Sequence, residues 1–192
     1  MLTISANKVL ERSSCLEQVN HEDRYNKSYF HFIEYFSKKD SLNEHDLIIG
    51  ANFTYGWMPT ILNFKSENFS AAVVAINAAK NQERITNEQF LTLKVLINNS
   101  IVGVSKLLHF INPEVYAIWD SRVCNFLTGK SHKQKVEKLD LYLSYLDLCI
   151  KVKTDPEFSK IHRKFEEKVG YKLSPMRTVE QIMFISSNDP LV

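Results

Sequence analysis

Apolar residues recur every three or four positions along most of the chain, the spacing that gathers them on one side of a helix. Residues 22–38 place Tyr25, Tyr29, Phe32, Ile33 and Phe36 in this way, and a polar stretch, 39–46, reads as a linker. Residues 47–62 are ambiguous. Leu47 to Ile49 suit a strand or the start of a buried helix, and Pro59 disfavours helical geometry at Met58 but could open a helix through Leu62. Residues 69–80 predict a helix rich in alanine, with Ser70 as its candidate cap. Thr86 and Gln89 have the spacing of a capping box. They head a helix over 87–98 that presents Phe90, Leu91, Leu93, Val95, Leu96 and Ile97.

A short helix follows over 104–110, and Asn112-Pro113 reads as a cap with proline at the first helical position. The next helix contains Val123, Phe126 and Leu127 and is interrupted by Gly129. A long helix runs from about 132 to 150 with Val136, Leu139, Leu143, Leu146 and Ile150 as its buried stripe. Asp155-Pro156 opens a helix through Val169, and Ser174-Pro175 opens the last, through about Phe184. Residues 1–20 are weakly patterned and are expected along the surface. The pattern predicts an all-α fold of about nine helices without a sheet. It suits one compact unit over 1–192, or lobes over 20–98 and 99–185 with sequence-distant segments packing together.

Composition supports this reading. An apolar fraction of 44% against 24% charged excludes a disordered chain. Five glycines and five prolines are too few for the turns of a sheet-rich fold. A net charge of +2 makes no argument for nucleic acid by itself. Cys15, Cys124 and Cys149 lack metal-binding spacing and do not suggest a disulfide scaffold. No apolar run has the length of a membrane span, and the N-terminus does not read as a secretion leader. The expected location is cytoplasmic or nucleoid-associated, with no membrane partner.

The chemistry concentrates between Ile101 and Val123. Lys106 stands on an apolar helix beside Val104, Leu107 and Leu108. Partial burial there would favour the neutral amine, which is the nucleophilic form. Asp120 stands at a helix start and could stabilise a cationic transition state. The alternatives are a lysine that snorkels to the surface and an aspartate that caps a helix. Backbone amides at Gly103, Val104 and Ser105 could bind phosphate, or form an ordinary helical turn. Arg122 is a sharper candidate for a phosphate contact than two longer basic runs. The first is Lys130, His132, Lys133, Lys135 and Lys138, offset by Glu137; the second is Arg163, Lys164 and Lys168, beside Glu166 and Glu167. Both runs also fit solvated helix faces. Tyr55, Trp57, Phe110, Tyr116 and Trp119 could wall a pocket or fill the core. His109 could be an acid–base group or a hydrogen-bonded core histidine.

Gly103-Val-Ser-Lys106 and Ile118-Trp-Asp-Ser-Arg-Val123 resemble the helix-hairpin-helix DNA glycosylase superfamily, especially proteins with the 8-oxoguanine DNA glycosylase fold. The first segment matches the later part of the hairpin motif, with Ser105 at the second hairpin glycine. The second matches the apolar-Asp-x-x-apolar start of the following helix. The specific part of the resemblance covers about 100–124, and the helical order extends it over 45–185. It implies a bilobal helical fold with Lys106 as nucleophile and Asp120 as catalytic carboxylate. It also implies base excision from double-stranded DNA by a glycosylase/abasic-site lyase, with a modified purine as substrate and no metal or cofactor. DNA contacts would come from Gly103, Val104, Ser105, Arg122, Lys130, Lys133 and Lys135. The base pocket would come from Trp57, His109, Tyr116 and Trp119. Two competing classes remain: a non-catalytic DNA-binding relative, and a helical module that binds a protein partner.

Overall fold

Polar caps in the sequence set where most of the longer helices begin. The computed structural model describes residues 4–19, 24–81 and 84–191, with the backbone alone over 24–26, so the side chain of Tyr25 lies outside the described residues. Its α-helices are α1 (Ala6–Leu10), α2 (Arg24–Ser37), α3 (Glu44–Trp57), α4 (Phe69–Lys80), α5 (Asn87–Leu96) and α6 (Ile101–Ile111). They continue with α7 (Ser121–Thr128), α8 (Lys133–Val136), α9 (Leu139–Lys153), α10 (Phe158–Val169) and α11 (Pro175–Ile185). Short 3₁₀ turns cover Ser13–Gln18 and Ser186–Asn188. Among the described residues there is no strand, only an antiparallel bridge between Phe64 and Ile97. The chain is all-α.

It divides into two units. One is continuous, Asp23–Tyr116; the other is split, Met1–Glu22 with Ala117–Val192. The boundary therefore falls at 116/117, where the sequence suggested 98/99. The reason is that α6 packs against α2, α3, α4 and α5, all in the continuous unit.

In the continuous unit, the polar stretch 39–46 is not wholly a linker. Asn43 caps α3: its side chain accepts the Asp46 amide at 3.1 Å, and the Asp46 carboxylate accepts the Asn43 amide at 3.0 Å. The ambiguous stretch is therefore helical from Glu44 to Trp57, and it stops just before Pro59. The capping box at Thr86 and Gln89 forms in full. The cap of α4 is Asn68, whose side chain accepts the Ala71 amide, and not Ser70. Ala72, Ala75 and Ala79 are buried, so small side chains do let α4 pack closely. Leu91 and Val95 were expected among the helix's apolar set, but both are exposed.

Asn98 and Asn99 turn the chain between α5 and α6 with φ of 54° and 52°, a left-handed region that asparagine tolerates well. Ser100 then caps α6 by accepting the Gly103 amide at 3.3 Å. After α6, residues 113–115 form a turn in place of the helix expected at Pro113. Asn112 accounts for this. It ends α6, and its side chain donates to the Ala79 carbonyl at 2.9 Å.

In the split unit, the N-terminal segment is not a surface strip. Val9, Leu10 and Leu16 are buried as α1 packs on α9 and α11, and the first 3₁₀ turn packs on α10 and α11. The helix expected over 132–150 is two, α8 and α9, broken at Glu137 and Lys138. The buried face of α9 is also rotated from the aliphatic stripe. It carries Tyr142, Tyr145, Leu146, Cys149 and Val152, while Ile150 is exposed. The two tyrosines can be buried because their hydroxyls donate to the Ala117 and Ile118 carbonyls, at 3.4 and 2.9 Å. Ser174 caps α11 with Pro175 at its first position, as the sequence predicts. Residues 176–183 of α11 are buried on every side, which makes it the central helix of this unit.

Candidate functional site

The side of α6 that is not fully buried carries Val102 and Lys106, four residues apart. The Lys106 ammonium lies 5.3 Å from the ring centroid of Trp57, the last residue of α3. A lysine over an indole face is attracted by the ring quadrupole, by roughly 0.5–1 kcal/mol at an exposed site and more when desolvated. Trp57 in turn meets Phe110 edge-on at 5.4 Å. Phe110 contacts Phe32 and Phe53 at 5.2 and 6.0 Å, and those two rings stack at 4.3 Å with planes 4° apart. Phe32, Phe53, Trp57 and Lys106 are all half-buried. Trp57 with the amine over it, and the Phe32–Phe53 stack, are thus joined through Phe110, which is fully buried, within the continuous unit. Flat rings could stack there.

His109 sits one turn further along, and it is fully buried. Its Nδ1 lies 2.6 Å from the Tyr116 carbonyl and its Nε2 lies 2.7 Å from the Tyr29 hydroxyl. A carbonyl can only accept, so Nδ1 carries the proton and the neutral ring's Nε2 accepts from Tyr29. Both nitrogens are occupied, which makes His109 a core histidine. Tyr116 is also core, and its hydroxyl accepts the Ile85 amide at 3.0 Å.

Gly103, Val104 and Ser105 do not form a hairpin. They lie in the first turns of α6, fully or nearly fully buried. The Gly103 amide is taken by Ser100, and the Val104 amide donates to the Ser100 carbonyl at 3.2 Å. The phosphate-binding amides expected at these positions are therefore committed to the helix. The actual turn lies upstream, at Asn98 and Asn99.

The remaining candidates belong to the split unit. Asp120 caps α7, its carboxylate accepting the Arg122 and Val123 amides at 2.9 and 3.0 Å. Arg122 is exposed, with its guanidinium 4.6 Å from the centre of the Phe184 ring. Trp119 is not a pocket wall. It is fully buried, donates its indole N–H to the Val136 carbonyl at 2.8 Å and packs on Tyr142 and Tyr145. Lys130 and Lys133 are exposed and Lys135 is half-buried, on and just before the short α8. Lys106 and Asp120 thus fall in different units.

Among the described residues, no cluster of three or more His, Cys, Asp or Glu side chains could hold a metal ion, and no helix is long and apolar enough to cross a membrane. Compared with models of known protein families, with curated proteins and with solved structures, the chain matches none.

Phe32 and Phe53 are the site residues that the sequence reading did not select. Phe53 precedes Trp57 by four residues, which places both on one helix face. That signal was present, but it depended on reading 44–57 as a helix.

Proposed function

We propose that this protein binds duplex DNA and acts on an extruded nucleotide through Lys106, as a glycosylase/abasic-site lyase of the helix-hairpin-helix kind. The observation that carries the reading is the Lys106 ammonium over Trp57, beside the half-buried rings of Phe32 and Phe53. An enzyme that works on a base must take it out of the stack and hold it, and aromatic side chains do so by stacking. In the proposed reaction the Lys106 ammonium first gives up a proton to water, and the neutral amine then attacks C1′ of the sugar. The glycosidic bond breaks, and the base leaves with its electron pair and takes up a proton. The sugar ring then opens to a Schiff base on Lys106. The resemblance assigns the carboxylate role to Asp120, and Lys130, Lys133 and Arg122 would contribute salt-dependent affinity for phosphates.

Borohydride reduces a Schiff base to a stable adduct, so trapping on duplexes containing oxidised purines, uracil or abasic sites tests the reading. The expected result is an adduct with the native protein and none with Lys106→Met, which keeps the apolar stem. Native protein that yields no adduct on any of these duplexes would overturn it.

A second reading, a binding-only relative, is favoured by the amides of residues 103–105 lying inside α6. It expects salt-dependent duplex binding that Lys106→Met leaves unchanged.

A further inference from the structure

We propose that the split unit carries an anion-binding groove between the 3₁₀ turn Ser13–Gln18 and α10, suited to a small phosphate ester with an apolar substituent. The cavity measures about 240 Å³. One wall is Ser13, Ser14, Leu16 and Glu17; the other is Ile161, Lys164, Phe165 and Lys168. Positions 161, 164, 165 and 168 share one face of α10, because their spacing follows the helical repeat. Ile161, Phe165 and Leu16 make an apolar floor, while the two lysines and two serine hydroxyls supply donors.

Ser13, Ser14 and Lys164 make no side-chain hydrogen bond or ion pair with another described residue. Lys168 donates to the Glu17 carbonyl, which ties the two walls together and leaves its other two N–H groups for a ligand. The acidic residues of α10 are engaged elsewhere: Glu166 with Lys172 and the Leu173 amide, Glu167 with Arg163. Among the described residues that line the groove, only Glu17 opposes an anion, and it is exposed.

Size argues for a ring with a charged group. An apolar cavity of about 150 Å³ already holds benzene. A cavity of this size therefore accepts a six-membered ring on the floor with a phosphate between Lys164, Lys168 and the serines. Two cations flanking two hydroxyls suit a phosphate monoester, whose oxygens take charge-assisted hydrogen bonds. This inference uses neither Lys106 nor DNA, and it stands or falls apart from the proposed function.

The test is titration of the whole chain with phenyl phosphate, read by NMR at the amides of 13–17 and 161–168, with phenol as the uncharged control. Saturable shifts are expected with phenyl phosphate, at least about tenfold tighter than with phenol and weakening with salt. Lys164→Gln, on an exposed side chain, should weaken binding by about two- to fivefold, the range of one partly screened charge. Glu17→Gln should tighten it by a similar factor. Absence of saturable shifts, equal affinity for phenol, or weaker binding in Glu17→Gln would overturn the proposal. The last outcome would mark the groove as a site for cations.

Discussion

Gly103 faces the ring of Tyr55 so closely that a methyl group on its Cα would come within 2.8 Å of the ring's Cζ. The Tyr55 ring is buried, and its hydroxyl donates to the Ile97 carbonyl at 3.4 Å. The glycine therefore serves the packing of α3 on α6, in a helical backbone, and not a turn. Gly103→Ala is expected to destabilise by about 1–3 kcal/mol through overpacking. Tyr55→Phe removes the nearest atom of the contact, so the double variant should lose less than the sum of the two singles. Strict additivity in a urea-denaturation cycle would mean that another contact causes the effect.

Asp120 allows capping and charge to be separated. Asparagine caps about as well as aspartate, while alanine forfeits roughly 1 kcal/mol. Asp120→Asn should keep the native urea midpoint, and Asp120→Ala should lower it. If the proposed chemistry holds, Asp120→Asn retains the fold and duplex binding but yields less trapped adduct.

His109→Leu removes two buried hydrogen bonds, one from the Tyr29 hydroxyl and one to the Tyr116 carbonyl. Stripping a buried group of its partner costs about 1–3 kcal/mol. A loss of at least about 1 kcal/mol is expected by chemical denaturation. A neutral outcome would contradict the bonding described for this ring.

Acid should weaken each unit through one carboxylate. Burial pushes Asp46 up, but bonds from Lys39, the Asn43 amide and Tyr35 outweigh it and hold the group below its ordinary value. The same pair pushes the Tyr35 phenol the other way, up to about 12, through burial first and then the Asp46 carboxylate. Glu166 is likewise pushed up by burial and brought below its ordinary value by Lys172, the Leu173 amide and His162. A carboxylate depressed in the folded state adds stability above its unfolded pKa, about 3.9 for Asp and 4.3 for Glu. That stability is lost as pH falls through the lower folded value. The urea midpoint should therefore drop as pH is lowered below about 4. Asp46→Asn and Glu166→Gln should each flatten the drop. Trp57 and Trp119 report on the continuous and split units respectively, since each unit holds one of the chain's two tryptophans.

The helices were legible wherever polar caps met an apolar period, as at Thr86 and Ser174. The reading failed where two physical signals competed. Pro59 and the apolar run Leu47 to Ile49 masked a helix whose start lay in the polar residues Asn43 and Asp46. On α9, aliphatic side chains suggested one face, but tyrosines with nearby backbone acceptors filled another. The candidate site is legible in part: Lys106 and Trp57 both stand out in the sequence, although nothing local shows that residues 49 positions apart meet. Gly103 illustrates the ambiguity, because glycine serves a turn and a tight helix contact equally well, and only the position of Tyr55 distinguishes them.

The split unit has a consequence for the order of synthesis. Residues 23–116 can complete their packing from one uninterrupted stretch of nascent chain. Val9, Leu10 and Leu16 leave the ribosome ahead of that stretch, yet the helices that cover them, α9, α10 and α11, begin only at Leu139, Phe158 and Pro175. More than 120 residues must be translated while this apolar segment waits without its native partners, at least about 6–25 s at ordinary elongation rates.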